Sequence, residues 1–481
     1  MPKTVGDKRW LALYLLCLGE LMIVLDTTIV NVALPSIRAD LGFSETSLVW
    51  VVNAYMLTYG GFLLLGGRLG DFFGQRRMFL LGLTLFTFAS LVCGVANSQW
   101  LLITARAVQG LGGAVVSAIA LSLIMKLFAE PAEQARAMGV YGFVCAAGGS
   151  IGVLLGGALT GAFNWHWIFL VNLPIGAAVY ALCLALLPDD RGQAGAGRLD
   201  VAGAVTVTLS LMLAVYAIVN GNEAGWASTR TVGLLCGAAA LLALFFGIES
   251  RVGNPLMPLG MFRSRNIAVS NVIGALWAAG MFAWFFIAAL YMQLVLGYSP
   301  MQIGLAFLPS NVIMAAFSLG LSAWVVMRFG LRLPIAVGML LAAAGLALFA
   351  LAPVDGGFLA HVLPGMLLLG LGCGMALNPV LLAAMSDAGP EDSGLASGIV
   401  NTAFMMGGAL GLAVLASLAA ARSELLLAAG AGTPAALTGG YQAAFAVGAL
   451  FAAAAALIAG LLRAGTAGQK GELSCGSTTA G

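Results

Sequence analysis

Fourteen apolar runs long enough to cross a bilayer as helix, a charged fraction of only 8%, and a one-sided distribution of basic residues predict an all-α membrane protein with fourteen transmembrane helices. A soluble domain carries about 25% charged residues. With 61% hydrophobic residues and a mean hydropathy of +1.02, this chain has more apolar surface than a soluble fold can hide. The 21 Lys and Arg nearly cancel the 19 Asp and Glu, leaving a net charge of +2 and no reason to expect nucleic acid as a partner. Six of the seven cysteines, Cys17, Cys93, Cys145, Cys183, Cys236 and Cys373, lie inside apolar runs, and Cys475 lies in a polar tail. No Cys-x-x-Cys pair occurs, so they read as small apolar residues.

Backbone polar groups must be satisfied internally in hydrocarbon, so each run reads as helix of about 20 residues or more. The predicted spans are 10–35, 46–67, 78–96, 100–125, 137–162, 166–187, 200–220, 231–249, 267–292, 302–327, 333–352, 359–384, 395–420 and 441–462. The first follows Lys3, Lys8 and Arg9 as a secretory signal would. It is too long for a signal's apolar region and ends at Pro35 without a small-residue cleavage site, so it is expected to be the first span. With the N-terminus placed inside, seventeen of the 21 basic residues fall in cytoplasmic segments, against Arg38, Arg230 and Arg422 outside and Arg106 within a span. Losing one span midway would swap sides for everything after it, so this bias supports the span count and puts both termini in the cytoplasm. The expected location is the cytoplasmic (inner) membrane, multi-pass. The bilayer is the surroundings, and the oligomeric state is left open. Only short loops remain outside the spans, so function must reside in the helices and those loops.

A faint internal repeat follows the second and tenth spans, where Phe73, Gly74 and Arg76 match Phe329, Gly330 and Arg332. It pairs spans 1–6 with spans 9–14. The expected organisation is a six-helix bundle over 1–187, two inserted helices with their loops over 188–266, a second six-helix bundle over 267–465, and a cytoplasmic tail over 466–481.

Several ionisable residues stand inside apolar helices. Asp26 lies in LDTTIVNVALP (Leu25 to Pro35), where a carboxylate costs roughly 2.5–3.5 kcal/mol unless it faces a cavity or partner. A protonated acid avoids most of that cost, so Asp26 is a candidate for loading and releasing a proton. The alternative is an acid held by neighbouring hydroxyls such as Thr27 or Thr28. Glu20, six residues earlier and roughly 120° round the helix, is either a second proton or cation site or the partner of a polar group in the bundle. Arg106 opens RAVQGLGGA (Arg106 to Ala114) in the fourth span. Its charge persists at that depth, so it needs a carboxylate, carbonyls or water, or else it reaches outward toward the nearer membrane surface.

Other motifs are built on glycine. GRLGDFFGQRR (Gly67 to Arg77) joins the second and third spans, with Gly67 and Gly74 permitting tight turns and Asp71, Arg76 and Arg77 carrying charge. In GGSIGVLLGG of the fifth span, Gly148, Gly152 and Gly156 recur every fourth residue beside Gly157 and permit close helix contact. Further along stand NWHWIFLVNLPIG (Asn164 to Gly176), YMQLVLGYSPMQIGLAFLP (Tyr291 to Pro309) and GLASGIVNTAFMMGGALG (Gly394 to Gly411).

Together these segments resemble the fourteen-span drug:proton antiporters of the major facilitator superfamily, the EmrB/QacA type, over most of the chain. The resemblance implies the major facilitator fold, two six-helix bundles plus two additional helices. It also implies proton-coupled efflux of drug-like or antibiotic-like molecules, lipophilic or cationic, by alternating access. It makes Asp26 a proton and cation site, Arg106 the group that weakens a nearby acid's hold on its proton, and Asp71 a latch against the start of the thirteenth span near Ser393. This chain departs from the family at three places: Val153 stands where a proline follows Gly152, His166 where an arginine is usual, and Met405 and Met406 where a polar pair is expected. His166, between Trp165 and Trp167, reads as an interfacial anchor. Asn31, Trp284, Phe285, Phe404 and Met405 are candidates for lining the substrate cavity. No phosphate-binding loop, Ser/His/Asp set or metal-spaced cluster is present, and there are only two histidines. The expectation is a transporter with no cofactor and no metal, not an enzyme. Other readings are an exporter dedicated to one endogenous metabolite or siderophore, and a membrane-embedded enzyme or receptor without transport.

Overall fold

The computed structural model describes residues 3–128, 130–187, 199–253, 255–317, 321–386 and 393–462. In chain order the helices are α1 (Lys3–Leu41), α2 (Glu45–Phe73), α3 (Gln75–Gly94), α4 (Gln99–Leu127), α5 (Pro131–Ala162), α6 (Trp167–Leu170), α7 (Asn172–Leu186), α8 (Val201–Ala224) and α9 (Thr229–Glu249). They continue with α10 (Arg265–Leu290), α11 (Pro300–Ala316), α12 (Ser322–Phe329), α13 (Arg332–Ala350), α14 (Leu363–Met385), α15 (Ser393–Ala428) and α16 (Thr433–Ala459). A π turn at Tyr291–Val295 extends α10, and another at Phe358–Val362 leads into α14.

Among the described residues, thirteen helices are long and apolar enough to cross a membrane, and α6 and α7 together form one of them. The predicted tenth span, 302–327, is described as two pieces, α11 and α12. The architecture is therefore the expected all-α membrane protein, two six-helix bundles with two helices between them. The 466–481 tail and the 188–198 loop lie outside the described residues.

Local chemistry explains where the helices start and stop. Ser44 caps α2 by accepting from the Ser47 amide at 3.0 Å, and Ser228 caps α9 in the same way. Ser299 and Gln302 form a reciprocal capping box at α11, with Pro300 at its first turn. Gly74 and Gly330 end α2 and α12 at φ +93° and +71°, where an L side chain would be strained. The amide of each closes the last turn, onto Gly70 at 3.0 Å and Val326 at 2.8 Å. The weak repeat in the sequence thus marks the same turn in both halves.

Helix contacts in lipid gain little from the hydrophobic effect and depend on close backbone approach. The glycine stripe of α5 supplies it. A Cβ on Gly148 would sit 2.9 Å from Val24, one on Gly152 would overlap the Thr28 hydroxyl, and one on Gly156 would lie 2.7 Å from the Ile29 carbonyl. All three press on the segment of α1 around Asp26. Gly157 instead faces α11, where its Cβ would lie 2.8 Å from the Pro300 carbonyl, and a Cβ on Gly304 would lie 2.9 Å from that of Val153.

The halves also meet at the end of the bundle away from the chain termini. There Asn53 of α2 donates to the Ala409 carbonyl of α15 at 2.9 Å, and the Tyr441 hydroxyl of α16 donates to Glu45 at 3.3 Å. The inserted helix α8 touches both halves: Thr208 fills the space beside Gly61 of α2, and Asn222 donates to the Ser417 carbonyl of α15 at 2.7 Å.

Replacing Gly157 with leucine is expected to part α5 and α11 at this end. Spin labels at the exposed positions Phe163 and Met301 should then give a longer pulsed-resonance distance than in the parent. An unchanged distance distribution would show that the glycine does not set the approach.

Candidate functional site

Four fully buried polar residues of the first half, Ser90, Arg106, Gln109 and Asn172, converge on Asp26. It sits at mid-height of α1 with no solvent exposure, and Arg106 of α4 is 1% exposed. The guanidinium Nη1 donates to Asp26 Oδ2 and, at 2.7 Å, to Gln109 Oε1, while Nε donates to the Val51 carbonyl at 3.0 Å. The other carboxylate oxygen accepts from Gln109 Nε2 at 2.7 Å and Asn172 Nδ2 at 3.1 Å. Ser90 closes the ring: its hydroxyl accepts from Asn172 at 3.0 Å and donates to the Phe169 carbonyl at 2.9 Å. Tyr55 covers the guanidinium with its ring centroid 4.4 Å away, and Phe169 lies at 5.6 Å. Six helices, α1, α2, α3, α4, α6 and α7, each supply a member.

The helical period accounts for part of this. Arg106 and Gln109, three residues apart on α4, share a face and reach both carboxylate oxygens. The third residue after Gln109, Gly112, has no side chain, and a Cβ there would stand 2.6 Å from the Phe86 amide, so α3 comes close enough for Ser90 to join. Of the two readings of Arg106, the structure takes the carboxylate partner rather than the outward reach. Thr27 and Thr28 do not hold Asp26; their hydroxyls donate to backbone carbonyls at Val24 and Leu25.

A carboxylate bound this way has donors on both oxygens, which satisfies its charge in the absence of water. The same arrangement can be switched. A proton on Asp26 would cancel its attraction for Arg106, whose guanidinium still has Gln109, the Val51 carbonyl and the face of Tyr55 to rest against.

The other predicted residues are placed as follows. Glu20 is 5% exposed, with Ser117 and Tyr141 beside its carboxyl and one oxygen without a hydrogen-bond partner. It is a second buried acid of α1, apart from the Asp26 network. Asn31 is buried and donates to the Thr27 carbonyl at 3.1 Å. Trp284 and Phe285 lie among Phe307 and other core rings of the second half, around a void of about 10 Å³ shared with Ser310 and Asn311. The Trp284 Nε1 and Asn311 Nδ2 donors lack partners there, so the void suits one water or an acceptor atom of a ligand. Phe404 packs edge-on to Trp277 and Phe282, and Met405 lies against Gly60 where α2 meets α15.

In the loop motif, Gly67 faces Ala118 of α4 and Gly74 makes the turn described above. Arg76 donates to the Leu184 carbonyl of α7 at 2.9 Å, a bond within the first half, and Arg77 is exposed. The latch expected between Asp71 and the start of the thirteenth span falls outside what is described, for the Asp71 side chain and residues 387–392 alike. His166 stacks on Trp165 at 3.7 Å, in keeping with an anchor, and Trp165 donates to Asp40 at 2.9 Å.

Sequence reasoning missed Asn172, Ser90, Tyr55 and Phe169. Asn172 and Ser90 had a usable signal, since each is a polar side chain inside an apolar run. Nothing in the linear pattern aimed them at Asp26.

Removing one partner of a buried ion pair leaves an uncompensated charge, which costs about 3–5 kcal/mol. Asp26→Ala is therefore expected to destabilise the purified protein by about that much in detergent unfolding titrations, and the Asp26→Ala/Arg106→Leu pair to regain most of it. Additive losses in the double variant would mean that the two side chains are not coupled.

The Major Facilitator Superfamily model matches residues 16–412. The puromycin resistance protein pur8 of Streptomyces alboniger is 38% identical over 457 residues, 95% of this chain and 90% of that protein. The cephamycin export protein CmcT of Amycolatopsis lactamdurans is 38% identical over 94% of this chain and 92% of its own length. The tetracenomycin C resistance and export protein of Streptomyces glaucescens is 34% identical, covering 86% and 77%. Among solved structures, a bacterial homologue of the human lysosomal transporter Spinster matches with a TM-score of 0.64 at 16% identity, covering 96% of this chain and 98% of that one. The POT family peptide transporter matches at 0.65 and 16%, covering 94% and 96%. Those two likenesses speak to the fold alone. The family match and the three relatives fix the larger identity: this chain belongs to the Major Facilitator Superfamily and is a multi-pass membrane transporter of small molecules.

Proposed function

We propose that the protein exports drug-like or antibiotic-like molecules from the cytoplasm across the cytoplasmic membrane, in exchange for protons that bind at Asp26. The carrying observation is the buried Asp26–Arg106 pair, an acid whose charge is satisfied by one persistent cation and two amides in a site shut off from water. A proton arriving at Asp26 releases Arg106, and a proton leaving restores the pair. Because α1 is pressed against the glycine stripe of α5, and α5 against α11 of the other half, that exchange acts on the contact between halves. The basic bias of the segments at the terminal end supports cytoplasmic termini. The relatives named for puromycin resistance and for cephamycin and tetracenomycin C export support an antibiotic-like substrate. The same names support a second reading, an exporter dedicated to one metabolite.

Glu20, Asn31 and Met405 are proposed to face the substrate path, with the apolar Met405 and Phe404 suiting a lipophilic cargo. Asp71, with Gly67, Gly74, Arg76 and Arg77, is proposed to govern closure on the cytoplasmic side.

Inside-out vesicles with an imposed pH gradient test this. Wild-type protein is expected to accumulate puromycin or a cationic dye when the lumen is acidic and to lose the accumulation on adding a protonophore. Asp26→Asn, which keeps the shape and most hydrogen bonds of the site, is expected to abolish gradient-driven uptake while still binding the dye. Undiminished uptake in that variant would remove Asp26 from the mechanism. Uptake of a single compound out of a broad panel would favour the dedicated exporter.

A further inference from the structure

The inserted hairpin ends, on the side of the chain termini, in two acids that the transport reading does not use. Asp200 precedes α8, and its Oδ1 accepts from the Gly203 amide at 2.7 Å. Glu249 is the last residue of α9, and its Oε2 accepts from the Met257 amide at 3.1 Å. The residues are 5% and 3% exposed. Their other oxygens, Asp200 Oδ2 and Glu249 Oε1, are shut off from water and have no donor.

Those two orphan oxygens converge. A Cβ built on Gly203 would stand 2.5 Å from Asp200 Oδ2 and 3.0 Å from Glu249 Oε1, so both border the space that only a glycine leaves open. The two carboxyl groups thus border one small space beside Gly203. The apolar cluster beside them comprises Leu65 of α2, Ala204 and Leu256, with Phe62, Leu64, Leu69 and Leu199 around them, and the half-buried Arg68 stands on the same stretch of α2. Among the described residues no base forms an ion pair with either acid, and Arg251, two residues past Glu249, is exposed.

Two buried acceptors aimed at each other repel when both are ionised, and each then pays for an unmade hydrogen bond. One proton placed between them supplies the missing donor and leaves a single negative charge. The start of α8 and the Gly203 and Met257 amides stabilise that charge. Two oxygens are too few to hold a metal ion, and no cluster of three ligating side chains occurs among the described residues.

We propose that Asp200 and Glu249 share one proton, forming a second proton site at the foot of the inserted hairpin, and that its occupancy sets how firmly the hairpin docks on α2. Leu65 lies two residues before Gly67, where the loop motif begins on α2, so loss of this proton loosens the packing next to that motif. The site is independent of Asp26, and its test needs no transport.

The test uses the full-length protein in lipid nanodiscs. At neutral pH the infrared difference between wild type and Glu249→Gln is expected to contain a protonated-carboxyl band, as is the difference for Asp200→Asn. Both should persist when the comparison is made in an Asp26→Asn background. The folded state would bind one more proton here than the unfolded chain, whose carboxyls ionise near pH 4, so stability should fall as pH rises. The wild-type unfolding temperature is therefore expected to drop as the pH is raised from about 4 to neutrality and to level off beyond it. Glu249→Gln, whose amide donates permanently to Asp200, should lose that drop while folding normally. The proposal is overturned if neither difference spectrum holds the band, if exchanging choline for sodium removes it, or if the drop toward neutral pH is the same in Glu249→Gln.

Discussion

One buried ion pair organises the first half of this molecule. Asp26 and Arg106 have essentially no access to solvent, and each would be costly alone in hydrocarbon surroundings. Together they draw in Gln109, Asn172, Ser90 and the Val51 carbonyl, and by doing so they tie α1, α2, α3, α4 and α7 into one unit. The aromatic faces of Tyr55 and Phe169 exclude water around the guanidinium. The network is satisfied on the carboxylate side by three donors, so whatever changes the charge of that carboxylate must rearrange the contacts of several helices at once.

Glycine transmits that constraint beyond the first half. Where Gly148, Gly152 and Gly156 let α5 press on α1 beside Asp26, Gly157 on the same helix lets α11 approach from the second half. A helix so placed has close backbone contact on both sides, and small shifts in α1 have no slack to disappear into. Val153, in place of the family's proline, leaves α5 as one described helix, with its carbonyl against Gly304. The approach of the two halves here rests on missing side chains rather than on a kink.

The two inserted helices are more than a spacer. α8 spans the join between α2 and α15, and its foot rests on α2 through Leu65, Ala204 and Leu256. That position gives the hairpin a hold on both bundles while its outer surface faces lipid: the most apolar stretch of α9 is only 17% buried. The carboxyl pair beneath it is a buried polar feature at the edge of that apolar contact.

The amino-acid sequence by itself determined the class, thirteen of the fourteen predicted spans and the identity of the central charges. Hydrocarbon imposes helix on any long apolar run, and a charge inside such a run stands out against it. The glycine spacing in α5 was equally legible, since a four-residue repeat marks one helix face. Asp26 and Arg106 were visible as candidates, but 80 positions separate them, and no local rule pairs them. Only the tertiary structure decided that Arg106 turns inward to Asp26, that Asn172 and Ser90 complete the site, and that Trp284 sits among core rings. The same holds for Asp200 and Glu249, two unremarkable acids at helix ends in the sequence. Their convergence depends on how α8 and α9 pack against each other, because a buried polar group takes its partner from whichever helix packing brings within reach.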